Sequence, residues 1–486
     1  MKDRSLSWPS LKAAGVRTKN KAQEISGLAK PSAFLLSWAA GRYFQVRTYG
    51  CQANVRDSEV ITAYLQNLGM KPTTDPVQAD IIIFNTCAIR EHAETRIFGE
   101  LGHLAPLAKQ NHDLIIGLCG CMAHEEVTLE KLRKNVKHLN LVFGTGNIHQ
   151  LYSLIEEQVK SKDRIFCVSS DNLPVVEEYP EARFERYKAF VNIMYGCDKF
   201  CTYCIVPYTR GQQRSRNVED IVLEVKHLVE KGYKEVTLLG QNVNAFGLDF
   251  EDKTKDFAYL LEQIAKTGIA RIRFTSPHPA DFKENVFKVM SEYKNIMPAL
   301  HLPMQSGSSR VLKKMNRSYD RQRYLDLVKM LRSYIPDVRL TTDIICCFPG
   351  ETEEDFEDTL SIIKEANFAG AYTFIYSPRN GTPAARWDNP LTPEEKQARF
   401  NRLASAIDEQ ATIAGNEAVG QEVEVLFDSL DDKIGLIKGY DQYNRLVHVE
   451  APSTLIGQIK KVKILESHTY SFIGELRDTL HLRRFS

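Results

Sequence analysis

No apolar run in this chain approaches the roughly 20 residues needed to cross a bilayer. The longest near the start, AFLLSWAAG (33–41), is short and interrupted by Ser37 and Trp38. Net charge is also nearly absent, because 63 Lys and Arg against 62 Asp and Glu leave +1. Global electrostatics therefore does not draw the protein onto nucleic acid, and any basic footprint has to be local. There is no internal repeat and no low-complexity tract. Residues 1–43 carry eight Lys and Arg against only Asp3 and Glu24. They pair no clean apolar stretch with a small-residue cleavage site, so a loosely ordered basic extension is expected rather than a targeting peptide.

What is present in quantity is cysteine. Ten cysteines without a secretory signal argue for a reducing compartment, the cytoplasm by default. They also argue for metal or catalytic duty rather than disulfides.

A chain of 486 residues is too long for one ordinary core. Period and punctuation divide it into three folded α/β and β blocks. Over 44–160, YFQVRTYG, the helical SEVITAYLQNLG, DIIIFNTC, LIIGLCGC and LNLVFGTG alternate strand and helix, predicting a parallel α/β domain. SSDNLPVVEEYPEARFER then reads as a linker. Over 185–413, six strand candidates from AFVNIMYGC to AYTFIYSP alternate with helical patterns, predicting a partial (β/α)6 barrel with its sites at the C-terminal strand ends. Over 414–480, five short β-type runs predict a small β-barrel, a shape used to hold nucleic acid.

The sharpest signal is YGCDKFCTYCIVPYTRG, where Cys197, Cys201 and Cys204 form CxxxCxxC. A structural zinc site wants four ligands. The following IVPYTRGQQRSR offers neither Cys nor His, so zinc would need a distant fourth ligand. A [4Fe–4S] cube held by three thiolates keeps one iron open for a substrate. S-adenosylmethionine can chelate such an iron, and one electron then cleaves its sulfonium to a 5′-deoxyadenosyl radical. The loop after the first barrel strand is where such a fold places chemistry. GQNVN, QSGSSR and FPGETEEDF are further polar or Gly-rich strand ends, readable as ordinary turns or as a pocket over the cluster. They nominate Gln241, Asn242, Ser306, Gly350 and Glu351 as S-adenosylmethionine contacts.

A second set follows strand candidates of the first block: Cys51, Cys87, and Cys119 with Cys121. Ends of parallel strands share one edge, so these thiols converge, and three of them can hold a second cluster with an open iron. Cys119 lies inside its strand run and is expected to pack inward. Cys167, Cys346 and Cys347 have no spacing partner and are expected in core or linker packing.

TYGCQANVRDSE, NTCAIRE, GCMA, YGCDKFCTYCIVPYTRG, LLGQNVN, HLPMQSGS and FPGETEEDF, in that order, resemble the radical-SAM methylthiotransferases from about residue 44 to 480. VPYTRG followed by QQRSR, together with NTCAIREHAETRIFGELGHL, is most similar to the branch that acts on isopentenyladenosine in tRNA. WPSLKAAGVRTK resembles leaders of some bacterial members, and the third block resembles the family's RNA-binding TRAM domain.

The resemblance implies a fold of methylthiotransferase domain, radical SAM core and TRAM barrel. It implies two [4Fe–4S] clusters, on Cys197, Cys201 and Cys204 and on Cys51, Cys87 and Cys121. S-adenosylmethionine would be both radical source and methyl donor. The reaction implied is methylthiolation of carbon 2 of N6-isopentenyladenosine at position 37 of tRNA, an unactivated carbon that calls for radical chemistry. Partners implied are a tRNA anticodon stem-loop, whose loop bases can be splayed out and stacked, an electron donor such as flavodoxin or ferredoxin, and a sulfur donor. No membrane partner is expected, and a monomer is compatible with the sequence. Arg210, Arg214 and Arg216 are expected to meet phosphate, and Lys438, Tyr440, Tyr443 and Arg445 to form a stacking platform. Alternatives are the branches modifying threonylcarbamoyladenosine or a ribosomal-protein Asp, and a non-catalytic iron–sulfur RNA-binding module. Ala53, His124 and Cys347 depart from the usual Met, Gln and Gly, the last beside the expected S-adenosylmethionine pocket.

Overall fold

The computed structural model describes residues 24–25, 29–87, 91–168, 174–177 and 181–477. The basic stretch 1–23 lies outside the described residues, as do residues 88–90 of NTCAIRE.

The first domain is a six-stranded sheet with order β2-β1-β3-β4-β5-β6, parallel throughout. Its strands are β1 Tyr43–Tyr49, β2 Lys71–Pro72, β3 Ile81–Thr86, β4 Ile115–Gly120, β5 Leu141–Phe143 and β6 Ile165–Cys167. β3 (IIIFNT) and β4 (IIGLCG) are buried at every position, which is why they read as unbroken apolar runs rather than alternating ones. Helices α1 Ala33–Ala39, α2 Gln52–Asn67, α3 Glu91–Gln110, α4 Glu126–Asn135 and α5 Leu151–Ser161 cover the two faces. α1 corrects the reading of residues 1–43 as loose extension. Ser32 caps it through Leu35 N, and Leu35 and Ala39 are fully buried in the core with Leu65, Leu151 and Ile155. Seven residues with two core anchors dock where the sequence showed only a short interrupted apolar run.

Six parallel strands form the central domain: β7 Lys188–Asn192, β8 Glu235–Leu239, β9 Arg271–Phe274, β10 Ala299–His301, β11 Arg339–Cys346 and β12 Ala371–Ile375. They pair as two triplets, β9-β8-β7 and β10-β11-β12. Helices α6 Val218–Glu230, α7 Phe257–Ala265, α8 Glu284–Glu292, α9 Arg321–Tyr334, α10 Glu353–Glu365 and α11 Pro393–Asn416 lie outside. One continuous core joins strands and helices, from Val191 and Val236 through Ile272 and Leu300 to Ile344 and Ile363. Along β11 the burial alternates strictly, with Leu340, Ile344 and Cys346 turned to the helices. Arg339, Thr341 and Asp343 therefore face the inside of the arc.

The third domain is a closed barrel, β13-β14-β15-β17-β16, of β13 Glu422–Asp431, β14 Leu436–Asp441, β15 Leu446–Val449, β16 Ile459–His468 and β17 Ser471–Leu476. Gly439 has no room for a side chain, since a Cβ there would lie 1.9 Å from the Leu426 oxygen. The barrel sits at the N-terminal ends of the central strands. Arg271 donates to the Tyr440 and Glu424 carbonyls at 2.8 and 2.5 Å, Arg273 to the Asp441 carbonyl at 2.6 Å, and Lys188 pairs with Asp428 at 2.7 Å.

Of the segment read as a linker, residues 174–177 and 181–186 are described, and these are anchored to the domains on either side. Arg183 is bonded to the Phe190 carbonyl and to Glu224, and Val175 and Val176 are buried. Arg183 and Arg56 share Glu59 and Glu224 between α2 and α6, which fastens the first domain to the second.

Candidate active site

Cys197, Cys201 and Cys204 lie in the loop after β7. The backbone pairs Met194 with Ser215 and Tyr195 with Arg214, pinching the loop's two ends together. Gly196 makes this turn at φ +70°, and a Cβ there would lie 2.0 Å from the Gln212 oxygen. Cys197 N donates to Gly211 O at 3.2 Å and Cys204 N to Cys201 O at 2.9 Å, which curls the three thiols inward. Burial raises the Cys197 thiol above its usual range and pushes Cys204 up to about 12, with Cys201 adding to the rise. Arg317, from the loop after β10, donates Nη1 to Cys201 Sγ at 3.3 Å.

The other three cysteines come together for a topological reason. β1, β3 and β4 are neighbours in a parallel sheet. Cys51 caps α2 just after β1, Cys87 follows β3, and Cys121 follows β4. Gly120 turns the chain at φ +103°, where a Cβ would meet the Thr86 oxygen at 2.1 Å. Asn85 and Asn54 brace the loops, with Asn54 Nδ2 at 3.0 Å from Asn85 Oδ1. The Cys51 thiol is held down to about 5, first by its hydrogen bond with Cys87 and, against burial, by the charge of Arg210. Cys119 points the opposite way into the core, fully buried.

The two triplets meet across the domain boundary. Cys121 packs against Ile205 and Tyr208, which follow directly on Cys204. Arg210 crosses the same seam, with Nε 3.4 Å from Cys121 Sγ and Nη2 2.7 Å from Asp57 Oδ2. Among the described residues no three His, Cys, Asp or Glu side chains close on a point that would hold a single ion. A four-iron cube takes each thiolate on a separate corner and needs a wider set. Three sulfurs per group, two of them buried in each, with an arginine rather than a carboxylate touching each group, are a soft donor set that fits such a cube and does not fit a hard cation.

The candidate S-adenosylmethionine contacts fare differently. Gln241 Oε1 accepts from Gly196 N at 2.6 Å and so supports the cysteine loop. Asn242 donates to Asp281 at 2.7 Å, while its Oδ1 is buried without a protein partner. Ser306 is spent inside a turn, accepting from Ser308 N at 3.2 Å. Gly350 is a turn residue at φ +79°. Glu351 accepts from Cys347 N at 2.6 Å and lies 3.6 Å from Arg399, bracing the turn itself. Sequence reasoning passed over Arg317 and His278. The latter is buried beside Tyr319 with Nε2 unpartnered, and burial holds it neutral. An arginine on the connection after β10, far in sequence from the cysteines it meets, carries no spacing signal.

The phosphate reading of Arg210, Arg214 and Arg216 is overturned, for all three are buried. Arg214 donates to the Gln212 and Arg210 carbonyls, and Arg216 to Glu224 and Glu177. The stacking platform is largely overturned as well. Lys438 pairs with Asp431, Tyr443 donates to Asp337 and buried Arg445 pairs with Asp441. Tyr440 lines a large chamber inside the central arc, and Tyr443 and Arg445 line a smaller cavity of about 290 Å³ against the central domain.

The departures have physical reasons. Cys347 stands at φ +59°, where glycine is favoured. Its side chain is accommodated by packing beside Cys346 and toward the Lys396 carbonyl of α11, 3.8 Å away. His124 accepts from Thr145 N, and burial, with Arg210 nearby, lowers it to about 4, so it stays neutral. Nothing in the structure explains Ala53.

A chamber of about 790 Å³ fills the inside of the arc. It runs from Gln52 and Val55, beside Cys51, past Phe190, His301 and Tyr372 to Tyr440 of the third domain. Tyr372 is 65% exposed and Phe374, on the same face of β12, 45%. His301 lies between Asp343 at 3.3 Å and the Tyr372 ring at 5.7 Å.

Family models match in three places: the Radical SAM superfamily over 191–363, Uncharacterized protein family UPF0004 over 43–144 and the TRAM domain over 417–476. The chain shares its fold with the radical S-adenosylmethionine methyltransferase TsrM from Kitasatospora setae, solved with tryptophan substrate and a SAM analog. That match has a TM-score of 0.52 at 13% identity, over 71% of this chain and 75% of that one. The tRNA-2-methylthio-N(6)-dimethylallyladenosine synthase of Geobacillus thermodenitrificans is 48% identical over 96% of this chain and 90% of its own length. The protein so named from Bacillus cytotoxicus is 48% identical over 96% and 92%. With three domains in the same order and this identity along nearly its whole length, the chain belongs to the tRNA-2-methylthio-N(6)-dimethylallyladenosine synthase family of radical SAM proteins.

Proposed function

We propose that this protein methylthiolates carbon 2 of N6-isopentenyladenosine at position 37 of tRNA, with Cys197, Cys201 and Cys204 holding one [4Fe–4S] cluster and Cys51, Cys87 and Cys121 another. The observation that supports the assignment of both sites is the contact of Cys121 with Ile205 and Tyr208, which brings the loops bearing the two triplets together. When bound, the clusters and S-adenosylmethionine supply one-electron cleavage, a carbon radical and a sulfur to be methylated and transferred.

The chain's own residues bind and orient. Gly196, Gln241 and the Cys197–Gly211 bond hold the first triplet on the strand-end loop. The Asn54–Asn85 pair holds the second. Tyr372 and Phe374 offer faces on which a splayed loop base and its isopentenyl tail can lie. The third domain closes the far end of the chamber through Tyr440. An electron donor of flavodoxin or ferredoxin type and a separate sulfur donor serve the protein, in the cytoplasm. Among the described residues no helix is long and apolar enough to cross a membrane. The domain limits we assign are 44–160, 185–413 and 414–480, with α1 attached to the first.

The test is an anaerobic assay of reconstituted protein with S-adenosylmethionine, reductant and an anticodon stem-loop carrying isopentenyladenosine. Mass spectrometry of the digested RNA is expected to show one added methylthio group, absent after Cys51→Ala or Cys201→Ala. Cleavage of S-adenosylmethionine without change in this RNA, but with change in threonylcarbamoyladenosine RNA, would overturn the substrate.

A further inference from the structure

Both cysteine triplets have an arginine that sequence spacing does not assign to them. Arg317 donates Nη1 to Cys201 Sγ at 3.3 Å, Nη2 to Pro303 O at 3.2 Å and Nε to Tyr319 Oη at 3.0 Å. Tyr319 Oη is fixed in turn against the Pro303 and Met304 carbonyls at 3.2 and 2.8 Å. Among the described residues the partners of Arg317 are the Pro303 and Tyr319 oxygens and the sulfur, with no carboxylate among them. Its fork is therefore spent on neutral oxygens and one cysteine sulfur. Arg210 differs in one respect. It donates Nε to Cys121 Sγ at 3.4 Å, but Nη2 meets the Asp57 carboxylate at 2.7 Å.

Withdrawing a guanidinium from water is costly unless a counter-charge accompanies it. Asp57, only 6% exposed, supplies one for Arg210. For Arg317 the sulfur is the anion in reach, provided it is a thiolate. A thiol would be a poor acceptor for a cation, whereas an iron-bound thiolate is a charged one.

We propose that Arg317 and Arg210 are positioning residues, each donating to one ligand sulfur of its own cluster and holding that cluster's reduction potential up. The inference rests on the assignment of the two triplets as cluster ligands. Reduction adds one negative charge to the cluster, and a fixed N–H donor or cation at a ligand sulfur favours the more negative state. The two arginines are unequal. Arg317 brings an uncompensated charge, while the charge of Arg210 is largely balanced by Asp57 and acts mainly through its directed N–H. Removal of Arg317 therefore lowers its cluster's potential more than removal of Arg210 lowers the other.

The experiment uses the full chain in two reconstituted backgrounds, Cys197, Cys201 and Cys204→Ala or Cys51, Cys87 and Cys121→Ala, each keeping one cluster. Iron and sulfide are counted first, and a background that holds no four-iron cluster overturns the ligand assignment rather than the role of the arginines. Redox titration followed by electron paramagnetic resonance then reads the potential. Arg317→Gln is expected to shift the Cys197/Cys201/Cys204 cluster downward and leave the other unmoved. Arg210→Gln is expected to do the converse, by less. Two gentler variants cover loss of iron in either: Tyr319→Phe loosens Arg317 and is expected to give a small downward shift, and Asp57→Asn unmasks the charge of Arg210 and is expected to shift its cluster upward. Unmoved potentials in clusters with full iron, equal shifts in both clusters, or a downward shift in Asp57→Asn would overturn the proposal.

Discussion

Arg216 holds Glu224 with Nη1 2.7 Å from Oε2, and its Nε lies 3.1 Å from Glu177. An arginine two residues beyond a second arginine, in a run that reads as an RNA-facing loop, is thus a structural ion inside the molecule. Removing one partner of a buried pair strands the other, at a cost of about 3–5 kcal/mol. Arg216→Met is expected to lower stability by that order in chemical denaturation. The salt dependence of tRNA binding is expected to stay as in wild type, since no phosphate contact is lost. A flatter salt slope with intact stability would restore the phosphate role.

Gly120 and Gly196 precede Cys121 and Cys197 and turn the chain where a Cβ would lie 2.1 and 2.0 Å from backbone oxygens. Both stand at positive φ. Gly120→Ala is expected to abolish methylthio transfer while S-adenosylmethionine cleavage continues, because only the first-domain loop is displaced. Gly196→Ala is expected to abolish cleavage. Measuring both activities in each variant separates the two loops, and a variant with full activity would mean that the turn relaxes.

Tyr372 presents an exposed ring to the chamber. Base–aromatic stacking contributes roughly 1–3 kcal/mol, which corresponds to about 5- to 150-fold. Tyr372→Ala is expected to lower kcat/KM for the stem-loop within that range, and Tyr372→Phe to retain most of it. If both variants match wild type, the base lies elsewhere in the chamber.

Glu351 is raised to about 7, first by burial and then against the Cys347 N–H and the Arg399 charge. Its folded value exceeds the unfolded one, so its share of stability is complete below the ordinary carboxylate range and is lost as pH rises through about 7. The span corresponds to roughly 3 kcal/mol. Glu351→Gln, a permanently neutral amide, is expected to flatten the decline of wild-type stability over that window. Denaturant midpoints of the two proteins across pH check it, and parallel curves would mean that Glu351 is ionised throughout.

Much of the candidate site was legible because its signals are local. CxxxCxxC places three thiols in one loop, and Cys51, Cys87 and Cys121 each follow an apolar strand run, which is enough to put them on one edge of a parallel sheet. The strand order confirms that β1, β3 and β4 are neighbours. Charge was misread for a physical reason. A basic residue in a polar run looks the same whether it meets water, a phosphate or a buried carboxylate 124 positions away, as Arg183 meets Glu59. The α1 anchors Leu35 and Ala39 were missed likewise, since a seven-residue helix carries too little periodicity to announce the core it enters.

The alternation of strand and helix and the placing of six cysteines in strand-end loops follow from local pattern alone, because covalent spacing and side-chain periodicity are enough for these. It takes the folded molecule to show that Cys121 meets Ile205, that Arg210 and Arg317 divide between the triplets, and that a chamber runs from Gln52 and Val55 to Tyr440. Those depend on how three domains pack, and packing is set by buried surfaces and ion pairs between residues far apart in the chain, which no local pattern encodes.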